Sequence, residues 1–144
     1  MLFPDSPITY ITMNDIEEQL LTCKSWQEKY RQIMLIGKQL PRLPDAFQVE
    51  SAKVHGCESN VWAYSRIDDG TITVFFDSDA KIVRGLLAIV LSYFQARKIQ
   101  NVNVDDFTEY FERLELTKHL SPSRNNGIQA VSQQLLDAAA QNVR

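Results

Sequence analysis

The segment that decides the fold is residues 71–94, which read TITVFFDSDAKIVRGLLAIVLSYF. Its first six residues are rich in β-branched and aromatic side chains, the composition of a β-strand. The part that begins at Lys81 carries a broad set of large apolar side chains: Ile82, Val83, Leu86, Leu87, Val90, Leu91 and Phe94. This apolar face is wider than a surface helix needs. The segment therefore predicts a strand followed by a central, buried helix.

The residues around this strand predict a small sheet. Asp68-Asp69-Gly70 has the composition of a hairpin turn. The alternation over residues 61–66 predicts a strand leading into that turn. We expect a further strand over residues 49–55. After the last strand, Asp77-Ser78-Asp79 offers candidates for the N-cap of the central helix, and we expect these aspartates to cap it rather than to act in catalysis.

Helical patterns lie on both sides of the predicted strands. Acidic residues after Asn14 predict a first helix there. Ser25 and Glu28 form a capping-box pattern that predicts the start of a second helix. Further helices are expected over residues 104–114 and 127–140. This order of elements predicts an α+β fold in which a three-stranded antiparallel sheet packs against several helices.

Length and composition indicate one ordinary soluble domain. The 144 residues can build a single core, so we expect one domain over 1–144, with residues 1–13 as a loose N-terminal extension. The net charge of −3 argues against non-specific nucleic-acid binding. No apolar run is long enough to cross a membrane, and the N-terminus does not resemble a signal peptide. We therefore expect a cytoplasmic protein with reduced thiols.

The most informative candidate for chemistry is Cys57, in the segment VHGCESNVW of residues 54–62. A free cysteine is usually buried. Here Gly56 and other turn-forming residues surround it, which predicts a loop tip held by a scaffold, where reactive groups tend to sit. Glu58 would oppose formation of the thiolate. We therefore expect a thiol that is activated by a partner rather than by its own neighbours.

Neither a catalytic dyad nor a metal site is indicated. His55 is two residues from Cys57 and would share a strand face with it, but a loop leaves that geometry open. His119 is expected to be a surface or capping residue near a helix end, and Cys23 a buried helix residue. The spacing of these four residues matches no common zinc pattern. The sequence thus disfavours a cysteine hydrolase and a zinc protein.

Arginine and lysine side chains supply the other candidates. Ser121-Pro122 is typical of a helix start, and Arg124 follows it in a polar, turn-rich segment that could hold an anion or a carboxylate. The alternative is a solvated arginine. Lys81 and Arg84 lie in the first turn of the central helix, against its dipole, so a local acidic partner is expected there.

A thiol with no base, metal or cofactor suits a carrier better than a complete enzyme. With these features the chain resembles the SufE family, which includes CsdE. The matching segments, in order over residues 16–140, are WQEKYR at 26–31, GKQLP at 37–41, VHGCESNVW at 54–62, DSDAKIVRGL at 77–86 and LSPSRNNG at 120–127.

The resemblance implies a sulfur carrier. Cys57 would take sulfane sulfur as a persulfide from a cysteine desulfurase of SufS or CsdA type, stimulate that enzyme, and pass the sulfur to an iron–sulfur scaffold or another acceptor. The chain would need no cofactor, since the pyridoxal phosphate belongs to the desulfurase. Within the matching segments, Arg124, His55 and Asp79 are candidates for transfer or docking. The alternative is a non-catalytic iron–sulfur scaffold or an interaction module.

Overall fold

The computed structural model describes residues 3–4, 11–55, 59–95 and 97–142. Among these residues it contains five α-helices and one antiparallel hairpin, an α+β arrangement as predicted. In chain order the elements are α1 (Met13–Leu21), α2 (Trp26–Gly37), β1 (Val61–Asp68), β2 (Thr71–Ser78), α3 (Lys81–Phe94), α4 (Val104–Arg113) and α5 (Pro122–Asn142).

The hairpin forms where the sequence predicts it. β1 and β2 pair in antiparallel register from Val61 opposite Ser78 to Asp68 opposite Thr71. The two turn residues, Asp69 and Gly70, both have positive φ angles, 51° and 74°. A two-residue turn with this backbone matches the right-handed twist of the strands it joins.

The predicted third strand over residues 49–55 is wrong. The described part of the chain has two strands, and Lys53 forms only an isolated bridge to Trp62 of β1. Short 3₁₀ turns occupy Asp45–Phe47 and Glu50–Ala52 instead. The amides of Ala52 and Lys53 donate to carbonyls three residues earlier. Because these amides are used locally, they are not available for a longer ladder along β1.

The central helix is confirmed as the buried core element. Every residue of α3 from Ile82 onward is buried. Helix α2 crosses α3 so closely that a Cβ atom at Gly85 would lie 2.1 Å from the carbonyl oxygen of Ile33. One turn further along α2, Gly37 also meets the Gly85 backbone, where its own Cβ would lie 2.7 Å from the Gly85 nitrogen. The two glycines thus set the spacing between α2 and α3.

The helix starts agree with the sequence in some places and differ in others. Ser25 caps α2 by accepting from the Glu28 amide at 3.2 Å, as predicted. Helix α1 is capped by Thr12, which accepts from the Asp15 amide, rather than by Asn14. Helix α5 begins at Pro122, as the Ser121-Pro122 pair predicts, and five residues before the start expected from the pattern over 127–140. Ser121 accepts from the backbone amide of Arg124 and so anchors this earlier first turn.

Part of the N-terminal region belongs to the packed structure. Ile11 is only 3% exposed and lies in the main core, and Pro4 is buried. Most of residues 1–10 lie outside the described residues, so the expectation of a loose extension over 1–13 remains a prediction there. Among the described residues, no helix is both long and apolar enough to cross a membrane.

Candidate functional site

Two short backbone contacts close the base of the segment that carries Cys57. The Val54 amide donates to the Val61 carbonyl at 2.9 Å, and Lys53 bridges Trp62 in the antiparallel sense. Residues 53–54 therefore run antiparallel to residues 61–62. Cys57 itself, with Gly56 and Glu58, lies outside the described residues, so its predicted place at a loop tip stays a prediction.

Apolar side chains pack at this base on both faces of the hairpin. Val54 and Val61 belong to the main core, at 9% and 2% exposure. Trp62, next along β1, belongs to a second cluster with Leu43 and Phe75. Successive residues of a strand point to opposite faces, so the two clusters fix both sides of the strand that leaves the candidate site.

Asn60, the residue just before β1, is tied to the end of β2. Asn60 donates from its side-chain amide to an Asp79 carboxylate oxygen at 2.8 Å. Ser78 donates to the Asn60 carbonyl at 2.6 Å and accepts from the Ala80 amide. Asp79 thus lies within hydrogen-bond reach of the segment that carries Cys57. Its side chain is exposed and remains open to a further partner.

The three residues of Asp77-Ser78-Asp79 do not cap α3. The N-cap of α3 is Ala80, and no side chain of the described residues bonds to the first-turn amides as a cap. The prediction of an aspartate cap is therefore wrong. Each side chain is used elsewhere: Ser78 and Asp79 hold Asn60, while Asp77 turns into the protein.

Asp77 and Arg84 form a buried ion pair, which confirms the acidic partner expected for Arg84. Asp77 is fully buried, and its carboxylate also accepts from the amides of Leu43 and Ser78, each at 2.8 Å. Arg84 donates further to the carbonyls of Gly37 and Leu40. This network locks the segment after α2 against the strand end beside the candidate site. Sequence reasoning had not assigned Asp77 this role.

The structure places the two histidines in different surroundings. His55 is exposed in a turn at the start of the Cys57 segment. His119 lies in a 3₁₀ turn and stacks on the Trp26 ring, with centroids 4.6 Å apart and planes at 17°. Within the described residues, neither imidazole takes part in a hydrogen bond or an ion pair. The role expected for His55 in transfer or docking therefore stays a prediction.

Cys23 differs from its expected position. It is half-buried and follows the end of α1 rather than lying inside the helix, and its thiol donates to the Gln19 carbonyl at 3.4 Å. Its thiol is thus engaged by backbone. In the described part of the chain, no group of three or more potential ligand side chains could hold a metal ion.

Arg124 lies in the first turn of α5 rather than in a turn-rich lead into it. Ser121 fixes its backbone, and Asn125 beside it donates to the Thr117 carbonyl at 2.9 Å. The side chain of Arg124 is half-exposed, and in the described residues it forms no ion pair. Among the described residues, Asp79 contacts the Cys57 segment through Asn60, and no contact links Arg124 to residues 54–55 or 59–60.

Comparison with known proteins decides the family. The family described as "SufE: Fe-S metabolism associated domain" matches residues 14–139. The chain belongs to the SufE family. Among the relatives of this SufE-family protein is the "Sulfur acceptor protein CsdE" of Escherichia coli (strain K12), 34% identical over 134 residues, which cover 92% of this chain and 91% of CsdE.

The fold of this SufE-family protein is also found in a solved structure. The solution structure of a hypothetical protein from Thermus thermophilus superposes with a TM-score of 0.66, over 90% of this chain and 93% of the other. The two sequences are only 14% identical. The likeness therefore concerns the fold.

Proposed function

We propose that this SufE-family protein accepts sulfane sulfur on Cys57 from a cysteine desulfurase and passes it to an iron–sulfur scaffold or another acceptor. The observation that carries the proposal is the family match across residues 14–139. It is supported by the name of the Escherichia coli relative, a sulfur acceptor. Cys57 is the candidate because Cys23 is half-buried, at the end of α1, with its thiol bonded to backbone.

The proposed transfer is an exchange between thiol and persulfide. The Cys57 thiolate attacks the outer sulfur of a persulfide on the desulfurase cysteine. A new S–S bond forms at Cys57, the donor S–S bond breaks, and the desulfurase cysteine leaves as a thiolate. The outer sulfur keeps its oxidation state, so no external oxidant or reductant is needed. Passing the sulfur on repeats the step with the acceptor thiolate as the attacking group.

The described residues suggest how the chain supports this exchange. The Val54–Val61 pairing and the Asn60–Asp79–Ser78 contacts fix both ends of the Cys57 segment on the hairpin. A reactive group on a segment with both ends anchored is presented at the same place to each of its two partners in turn. We propose that the chain acts as a carrier and activator rather than a complete enzyme, with no cofactor of its own. The pyridoxal phosphate would remain in the desulfurase.

Desulfurase turnover tests the proposal. A purified cysteine desulfurase of SufS or CsdA type is given cysteine and a reductant, and alanine formation is followed with and without this chain. We expect the wild-type chain to increase the rate and Cys57→Ser to abolish that increase, while Cys23→Ser retains it. Equal stimulation by Cys57→Ser and by the wild type would contradict a carrier role for Cys57.

A further inference from the structure

A groove of about 520 Å³ lies beside the candidate site, between the end of α2 and the start of α3. Residues from α2 and the segment after it form one wall, and residues from the start of α3 form the other. The groove is lined by Arg31, Met34, Leu35, Gly37, Lys38, Leu40, Arg42, Asp79, Lys81 and Arg84. The lining combines cationic side chains with the apolar side chains of Met34, Leu35 and Leu40.

The charges that face the groove are mainly positive, although the whole chain carries −3. Arg84 is neutralised by buried Asp77, and Arg42 lies 3.6 Å from the same carboxylate. Within the described residues, three exposed cations of the lining form no ion pair: Arg31, Lys38 and Lys81. Asp79 is the carboxylate in the lining. A local excess of cations on an acidic protein attracts an acidic partner surface.

The α3 helix end strengthens this preference. Lys81 opens the helix, and no side chain of the described residues caps its first-turn amides. Unsatisfied amides at a helix N-terminus, together with the helix dipole, favour a nearby carboxylate. A glutamate or aspartate of a partner would therefore find the Lys81 cation and the positive end of the α3 dipole at this wall of the groove.

The apolar part of the groove is open to solvent. Leu35 is 42% exposed, one of the few large apolar side chains that the described structure exposes to this degree. Met34 is half-buried beside it. An exposed leucine rimmed by cations fits an acidic segment that also carries an apolar side chain, because interfaces commonly combine an apolar centre with a polar rim.

The groove is continuous with the Cys57 segment. Asp79 lines the groove and accepts the hydrogen bond from Asn60 at 2.8 Å. A partner seated in the groove therefore contacts the residue that holds one end of that segment. A protein that must approach Cys57 would cover this surface at the same time.

We infer that the groove docks an acidic surface segment, with an apolar side chain, of the desulfurase that donates the sulfur. This inference rests on the proposed function. Charge complementarity selects the occupant, and the cations act mainly by steering the encounter, so their removal should lower the association rate more than it raises the dissociation rate. Leu35 supplies the short-range contact that slows dissociation.

The test measures binding of the wild-type chain and of Lys38→Glu/Lys81→Glu to a purified desulfurase of SufS or CsdA type, at low and at high salt. The matched control is Lys24→Glu/Lys98→Glu, which makes the same charge change at two other exposed lysines. We expect the groove variant to lose about tenfold in affinity at low salt, mainly through slower association, and the control to stay within about twofold. Leu35→Ser should instead raise the dissociation rate.

The outcomes separate this inference from the proposed function. If the wild type takes up no sulfur from the desulfurase and cysteine, the proposed function fails. If the wild type is loaded but the groove variant binds as tightly as the control, only the docking inference is overturned. An equal loss of desulfurase affinity in the groove variant and the control would also overturn the docking inference. So would a wild type that self-associates and a groove variant that does not, if both bind the desulfurase equally well. Melting temperatures of all variants, measured by circular dichroism, confirm that each is folded.

Discussion

Arg84 and Asp77 form an ion pair inside the protein, where the start of α3 meets the end of β2. The same carboxylate holds the Leu43 amide, and the same guanidinium holds carbonyls of Gly37 and Leu40. One buried pair therefore joins three parts of the chain: the segment after α2, the hairpin and the central helix. Both the groove and the anchored end of the Cys57 segment depend on how these parts are placed.

Removing one member of this pair should be strongly destabilising. Arg84→Met removes the buried partner of Asp77 and leaves only exposed Arg42, 3.6 Å away, so we expect a loss of about 3 to 5 kcal/mol in the free energy of unfolding. The control is Arg66→Met, which breaks the exposed pair with Asp68 and should cost less than about 1 kcal/mol. Urea unfolding measures both. Similar losses of unfolding free energy for the two variants would show that the buried Arg84–Asp77 pair stabilises the protein no more than the exposed Arg66–Asp68 pair does.

The close crossing of α2 and α3 gives a second prediction. Gly85→Ala would place a Cβ atom 2.1 Å from the Ile33 carbonyl oxygen, so the helices must separate. We expect a loss of at least about 3 kcal/mol, as for severe overpacking. Gly70→Ala is the comparison, since nothing lies within 4 Å of its Cβ and only its φ of 74° opposes alanine. It should cost about 1 to 2 kcal/mol. A Gly85→Ala protein as stable as the wild type would contradict the close approach of α2 and α3.

Tyr110 should make the protein sensitive to alkali. The Tyr110 hydroxyl is buried and lies 2.7 Å from the Ser92 hydroxyl, and either group can donate in this contact. Burial raises the pKa of Tyr110 from 10.0 to about 12, while the Ser92 contact acts in the opposite direction. A pKa raised by folding gives stability that is complete below pH 10 and is lost as the pH rises toward 12.

The comparison for Tyr110 is Tyr110→Phe, which has no proton to lose. Between about pH 9 and pH 12 we expect the wild type to lose up to about 3 kcal/mol more than this variant. Chemical unfolding at a series of pH values gives the difference directly. Parallel pH profiles for the two proteins would show that Tyr110 ionises as freely in the folded chain as in the unfolded one.

Arg124 offers a test of the site beyond Cys57. Its backbone is fixed by Ser121 at the start of α5, and a planar guanidinium suits a carboxylate or paired carbonyls. We expect Arg124→Ala to lower the rate of sulfur uptake severalfold with an unchanged circular dichroism spectrum, and Arg124→Lys to recover only part of it. Lys118→Ala, at a nearby exposed cation, should leave the rate unchanged. Sulfur uptake by Arg124→Ala at the wild-type rate would show that Arg124 is a solvated side chain with no part in the transfer.

The elements that sequence patterns predicted correctly are those that depend on neighbouring residues. The Ser25–Glu28 cap, the Asp69-Gly70 turn and the apolar face of α3 are local patterns, and the structure confirms them. The expected strand over residues 49–55 failed because amides of this segment are satisfied by 3₁₀ turns, a choice that alternation of side chains does not reveal.

The parts that escaped sequence reasoning depend on tertiary contacts. Asp77 had the sequence position of a helix cap. Folding instead buries it against Leu43, which is 34 residues away in the chain, and against Arg84 of α3. The link from Asn60 to Asp79 spans 19 residues and depends on the pairing of β1 with β2. Asp79 was a candidate from the sequence, but its contact with the Cys57 segment could be known only from the fold.

The mass of the Cys57 peptide after sulfur transfer tests the carrier role most directly. The chain is incubated with a desulfurase and cysteine, alkylated, digested and examined by mass spectrometry, with Cys23→Ser and Cys57→Ser treated in parallel. We expect one added sulfur on the Cys57 peptide of the wild type and of Cys23→Ser, and none on the corresponding peptide of Cys57→Ser. Sulfur on Cys23 alone, or equally on both cysteines, would contradict a carrier role that belongs to Cys57.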